Sequence, residues 1–318
     1  GAYRYQDMGG FFVETEQGQY YLGWDQIIRF AEPGSRSFYP LCNKPNCGHG
    51  SDNCNAYTDY ALGYWNGHLY TTTYGNNGPV VQRMDMDGAN RREVGQLPVL
   101  TAVDGARHGS GELLFHNGSL FYMYDAIETD PEWSMSIYQF DLETGKGRWL
   151  FQEDIPLHTD WPADSVSISN GYLYFPLPQT SEGKRPYAEG NLETGRIERV
   201  FEDWKRENSF IVNFDNVLHY HRAGVGLCEY DKATGKETVK VPMDVYYADV
   251  SYTKDYIFLR TLDSADFNQC VLLAYDRDYN LLGKLELEKI GLRFPFLEYT
   301  TANAIYFSAD GGTITHYI

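Results

Sequence analysis

Cysteine and histidine supply most protein ligands for soft metals and many nucleophiles, and this chain gathers them in one place. The run CNKPNCGHGSDNC, Cys42 to Cys54, holds three of the five cysteines together with His49. The spacing is C-x4-C-x-H-x4-C. Thiolate and imidazole donors at short separation suit tetrahedral Zn²⁺, which takes four such ligands. Gly48 and Gly50 let the backbone wrap tightly, and Pro45 stiffens the first loop. Four protein donors close the coordination shell and leave no position for water or substrate, so such an ion is structural. The competing reading is a disulfide, Cys42–Cys54 or Cys47–Cys54, with one thiol left over. Either crosslink staples a long loop by restricting the unfolded chain.

Other chemistry-bearing patterns are weaker. The chain has neither a G-x-S-x-G nucleophile elbow nor an H-E-x-x-H metal motif. DMDGAN, Asp85–Asn90, begins like a Ca²⁺ loop but lacks the downstream bidentate Glu, and its recurring position makes it a turn. SADGG, Ser308–Gly312, resembles the start of an Asp box, but a single copy reads as a turn. His219 and His221 alternate with tyrosine in VLHYHR and so share one face of a strand. They are candidates for lining a channel or an exposed face, with a paired metal site as the lesser alternative. Cys228 and Cys270 stand in apolar strand-like runs and read as buried, unreactive thiols.

The elements that must position these groups are legible as a repeat. A turn pair followed by an aromatic-rich strand appears as GQYYLG, NGHLYTTTY, NGSLFYMY, NGYLYFPL, DNVLHYHR, KDYIFLRT and ANAIYFSA. Equivalent apolar positions are Tyr20, Leu69, Leu120, Leu173, Leu218, Ile257 and Ile305, which recur every 39 to 53 residues. Asn-Gly before alternating apolar residues is a strong hairpin signal. A second turn follows in RMDMDGANRREV, QFDLETGKGRWL, EGNLETGRIERV, EYDKATGKETVK and AYDRDYNLLGKL. Each repeat thus supplies four antiparallel strands, one blade of a β-propeller. The expected architecture is a single all-β propeller domain over residues 1–318 with seven four-stranded blades. The last repeat, Phe294 to Ile318, has room for only three strands, and Ala2 to Gly9 is expected to add the fourth and close the ring. Six blades, with the Cys-rich first repeat as an appendage, is the alternative. Residues 40–57 fall between the first blade and the second.

The 318 residues carry 26 basic and 44 acidic side chains, a net charge of −18 and a pI near 4.8. Such a surface repels phosphate backbones and anionic lipid, which argues against nucleic-acid binding. Aromatic residues make up 16%, led by 27 tyrosines, in keeping with β-structure. No run approaches the ~20 apolar residues of a membrane span, and no signal peptide is visible. The chain opens on Gly1, which reads as a trimmed end with any leader upstream.

The repeats resemble those of TolB-like bacterial propellers, whose blades carry a DxDGxN-type turn. More specifically, PLCNKPNCGHGSDNCNAY, Pro40 to Tyr57, is similar to a segment that follows the first blade in propeller lipoproteins of Gram-positive gut anaerobes. That resemblance implies an extracytoplasmic protein tethered to the cell surface through a lipidated N-terminal cysteine, which this sequence does not contain, and implies no established activity. The functional expectation is a non-catalytic module that binds a protein or a carbohydrate through loops at one face. Trp65, Trp133, Trp149, Trp161 and Trp204 either rim such a face or fill space between blades. A glycan-active hydrolase or lyase with carboxylates in the central channel is the alternative, and a purely structural scaffold is the third reading.

Overall fold

The structure is a computed structural model. It describes residues 11–318 except 36, 52, 76–77, 99–109, 126–134, 152–165, 178–179, 183–185, 203, 205–207, 246, 263–269, 293–294, 301–303, 310–312 and 318. The chain is all-β and forms a propeller of six four-stranded blades, each an antiparallel meander in chain order. They span 12–40, 60–96, 110–150, 167–201, 208–242 and 247–286. A three-stranded sheet, 296–317, follows the sixth blade.

The expectation of seven four-stranded blades is therefore corrected: six are complete, and among the described residues the seventh repeat forms three strands. The alternative of six blades matches the count, but it had placed the irregularity in the first repeat, which is a full sheet. The segment Ala2 to Gly9, expected to supply the missing strand, lies outside the described residues, as do Trp133, Trp161 and the centre of SADGG.

The two-residue turns between first and second strands of blades 2 to 5 occupy the left-handed region that Asn and Gly tolerate. Asn66 and Gly67 have φ of 46° and 79°, and Asn117 and Gly118 have 43° and 76°. In blade 5 Asp215 and Asn216 do the same at 48° and 68° without a glycine.

Each sheet is apolar on both faces, so a strand divides its side chains between two neighbours. On Ser119–Asp125, Leu120 and Tyr122 face the cluster shared with blade 2, while Phe121 and Met123 face blade 4. The series continues around the molecule. Tyr174 and Tyr220 join blades 4 and 5, Leu227 and Leu259 join 5 and 6, and Cys270 and Phe307 join blade 6 to the last sheet. Phe12 of blade 1 packs on Tyr306 of that sheet, ring centroids 4.5 Å apart, and so completes the circuit.

A second device recurs at the rim. The turn between the third and fourth strands of one blade leans on the outermost strand of the blade before it. Arg148 donates to Leu192 O at 2.7 Å and Glu193 O at 3.0 Å, and Arg199 donates to Lys232 O. Gly145, φ 68°, brings its Cα so close to blade 2 that a Cβ there would lie 2.8 Å from Val94 O. Replacing Gly145 by Ala is expected to cost roughly 1–3 kcal/mol, from left-handed strain plus the inter-blade clash. Gly34, φ 76° with open space around it, supplies the control. Gly34→Ala should lower the urea midpoint less than Gly145→Ala; equal shifts would remove the packing contribution.

Candidate metal centre

The Cys/His segment is the connection from blade 1 to blade 2. The outermost strand of blade 1, Tyr39–Pro40, leads directly into Leu41 and Cys42. Successive tight turns then fold the segment on itself: Cys42 N donates to Pro40 O at 2.8 Å, Cys47 N to Lys44 O at 3.3 Å and Cys54 N to Ser51 O at 2.8 Å. Asn46 and His49 adopt left-handed φ of 58° and 56°, reversing the chain on either side of Cys47. The Lys44 ammonium donates to Asn53 O and ties the two ends of the knot.

These turns bring the donor atoms of Cys42, Cys47, His49 and Cys54 within 4.8 Å of one another. His49 Nδ1 is 3.4 Å from Cys54 Sγ. Zinc bonds to sulfur and nitrogen run about 2.0–2.3 Å, so donors on one ion lie within roughly twice that distance of each other. The tetrad is close enough to hold a metal ion, as its spacing predicted. All five cysteines carry free thiols in the structure.

Cys54 is buried, whereas Cys42, Cys47 and His49 are half-buried. Burial pushes the Cys54 thiol up to about 11, helped by its thiol neighbours. At Cys42 burial also acts upward and is the largest single influence, yet backbone hydrogen bonds at Lys44 and Asn55 and the Cys54 and Cys47 thiols together bring it below its ordinary value. One sulfur in the cluster is thus favoured as the anionic acceptor for the others.

The other candidates separate from this centre. His219 and His221 are both buried, at 7% and 1% exposure, so neither stands on an open face. Blade packing, invisible in a single strand, encloses both rings. His219 lies in the seam between blades 5 and 6 against Phe214, Tyr252 and Tyr279, with Nδ1 2.7 Å from the Tyr279 hydroxyl. His221 bonds to the backbone at Val245, in the connection to blade 6. Cys228 and Cys270 are buried thiols in separate clusters. Trp204 fills the seam between blades 4 and 5, and Trp149 packs edge-on against Tyr138. The Asp85 carboxylate accepts from Asn90 Nδ2 at 2.6 Å, closing the DMDGAN turn on itself.

Sequence reasoning missed one buried charge cluster. Glu189 accepts hydrogen bonds from Lys232 Nζ and from the Tyr174 hydroxyl, both at 2.7 Å, across the seam between blades 4 and 5. Lys232 in DKATGK had read only as a turn residue, and its partner stands 43 residues away.

Burial lowers the His219 pKa to about 3 and that of His221 to about 4, so both are neutral in the folded protein. In the unfolded chain each titrates near 6.5. Between those values the unfolded state binds more protons, so stability is full above about pH 6.5 and falls as pH drops toward 4. His219→Gln should flatten that slope in urea unfolding measured from pH 7 to pH 4; an unchanged slope would assign the acid sensitivity elsewhere.

No family model and no curated protein matches the sequence. Solved structures are similar in fold alone. The computationally designed Ika8 protein superposes with a TM-score of 0.56 at 11% identity, covering 98% of this chain and 97% of that one. BamB from Moraxella catarrhalis gives 0.51 at 11% identity, covering 99% and 95%. Saccharomyces cerevisiae Sqt1 gives 0.51 at 10% identity, covering 99% and 97%.

Proposed function

We propose that this chain is a non-catalytic propeller that binds a protein or carbohydrate partner through loops at one face, outside the cell and tethered to its surface. One observation carries the non-catalytic part. Glu189 is the one acidic residue buried among the described residues, and Lys232 and Tyr174 already occupy its carboxylate. Acid–base catalysis on a glycan needs two carboxylates flanking the bond, one of them free to exchange a proton. Two further acids are paired with cations: half-buried Asp249 with Arg260 Nε at 2.6 Å, and exposed Glu237 with Arg222, with a hydrogen bond from Tyr220 as well. Propellers commonly serve as interaction scaffolds, which supports binding. The extracytoplasmic, surface-tethered location rests on the likeness of residues 40–57 to the lipoprotein segment.

The same reading takes Zn²⁺ as a structural ion at Cys42, Cys47, His49 and Cys54, since three thiolates and an imidazole satisfy its charge and coordination number. A disulfide among the three cysteines is the competing outcome.

Two measurements test these points. A glycan array and a crosslinking pull-down with the intact ring should return a saturable ligand, and turnover of glycan substrates should be absent in both the natural protein and Glu189→Gln. Turnover abolished by that substitution would replace the binding reading with an enzymatic one. Elemental analysis of protein purified without added metal should find about one equivalent of zinc. A metal-free protein two hydrogens lighter than its sequence mass would establish the disulfide.

A further inference from the structure

Blade 1 differs from the others in its outermost strand. Tyr39–Pro40 has two residues, whereas the fourth strands of blades 2 to 6 have four to seven. Only two residue pairs, Arg29 with Pro40 and Phe30 with Tyr39, join it to its neighbour. The Cys/His knot takes up the chain where a longer strand would otherwise run.

The knot is bonded to both blades it separates. Toward blade 1, Leu41 N donates to Ile28 O, Ile28 N to Ala56 O and Thr58 N to Gln26 O, at 2.8 to 2.9 Å. The Tyr57 hydroxyl adds a bond to Gln26 Oε1 at 2.7 Å. Toward blade 2, Thr58 Oγ1 donates to Thr72 O at 3.0 Å, and the Arg91 guanidinium donates to Tyr57 O. The DMDGAN turn rests on the same segment, for a Cβ on Gly88 would lie 2.8 Å from Leu41 O. Cys54 and Ala56 are themselves part of the apolar cluster that joins Val13 and Tyr20 of blade 1 to Leu62 and Leu69 of blade 2. Cys54 is thus a metal donor and a core residue of the seam at once.

We propose that the ion held by Cys42, Cys47, His49 and Cys54 is the latch between blades 1 and 2: it replaces the outer-strand pairing that blade 1 lacks, and its release loosens that seam while the remaining seams stay closed. This inference rests on the zinc reading above. The physical reason is entropic. A connection of this length with few ladder bonds has many conformations open to it, and four bonds to one centre remove them together. Cys54 and Ala56 then stay where the cluster needs them. Because Cys42, Cys47 and His49 are half-buried rather than enclosed, a chelator can reach the ion without unfolding the ring, and opening is local.

Hydrogen exchange on the full chain, zinc-loaded against chelator-treated, reads this directly. Loss of the ion should speed exchange by on the order of tenfold or more in residues 26–31, 54–59 and 69–73 and leave 187–191 and 217–222 unchanged. His49→Ala, a change at a half-buried site, should show the fast pattern even with zinc added. His49→Cys, which restores four donors, should recover protection. Stoichiometric zinc whose removal leaves the seam unchanged would overturn the latch and spare the zinc reading. Acceleration spread evenly over all blades would overturn it too, making the ion a global stabiliser. A metal-free, disulfide-bonded protein with a protected seam would overturn both.

Discussion

A four-stranded sheet with apolar side chains on both faces cannot bury itself; it needs a neighbour on each side. Everything else in this molecule follows from that constraint. The second strand of blade 3 sends Leu120 and Tyr122 one way and Phe121 and Met123 the other, and Leu173, Tyr174 and Phe175 in blade 4 divide likewise. A linear stack would leave two outer faces in water, at about 25 cal/mol for each Å² of apolar surface left uncovered. Closing the stack into a ring removes both ends, and the contact of Phe12 with Tyr306 is where this happens.

The seams also decide the fate of the polar groups. A turn that leans onto the preceding blade buries its own carbonyls and must find donors for them, which Arg148 and Arg199 provide. The Glu189–Lys232 pair is the deeper case, both side chains being nearly inaccessible. Removing either partner would leave a charge without compensation, whereas the intact pair adds little net stability. His219, held neutral by burial among aromatic rings, is a further polar group shut into a seam, between blades 5 and 6.

Against this background the seam between blades 1 and 2 is an exception. Much of its polar and apolar contact runs through a connection rather than through an outer strand, and that connection carries the Cys/His group that, among the described residues, is close enough to hold a metal ion. On the proposed reading, the Cys/His cluster belongs with the forces that hold the ring together.

The repeat was legible because its signals are local. Asn-Gly pairs at fixed offsets need a left-handed backbone, and strand alternation follows from covalent geometry, so seven repeats and their hairpins could be placed from residue types alone. The three strands of the last repeat were legible too. The four candidate metal donors could be named from spacing, yet their convergence to within 4.8 Å depends on turns at Asn46 and His49 that spacing does not specify. His219 and His221 show the limit from the other side: the same-face prediction is a property of one strand, but exposure is a property of the neighbouring blade. The partners Glu189 and Lys232 lie 43 residues apart in different blades, and no local pattern links them. The sequence by itself determined the strands, the turns and the candidate ligands, because these depend on covalent neighbours. Only the tertiary structure decided which faces meet, which charges pair and which histidines are shut away from water, because those depend on residues brought together by closing the ring.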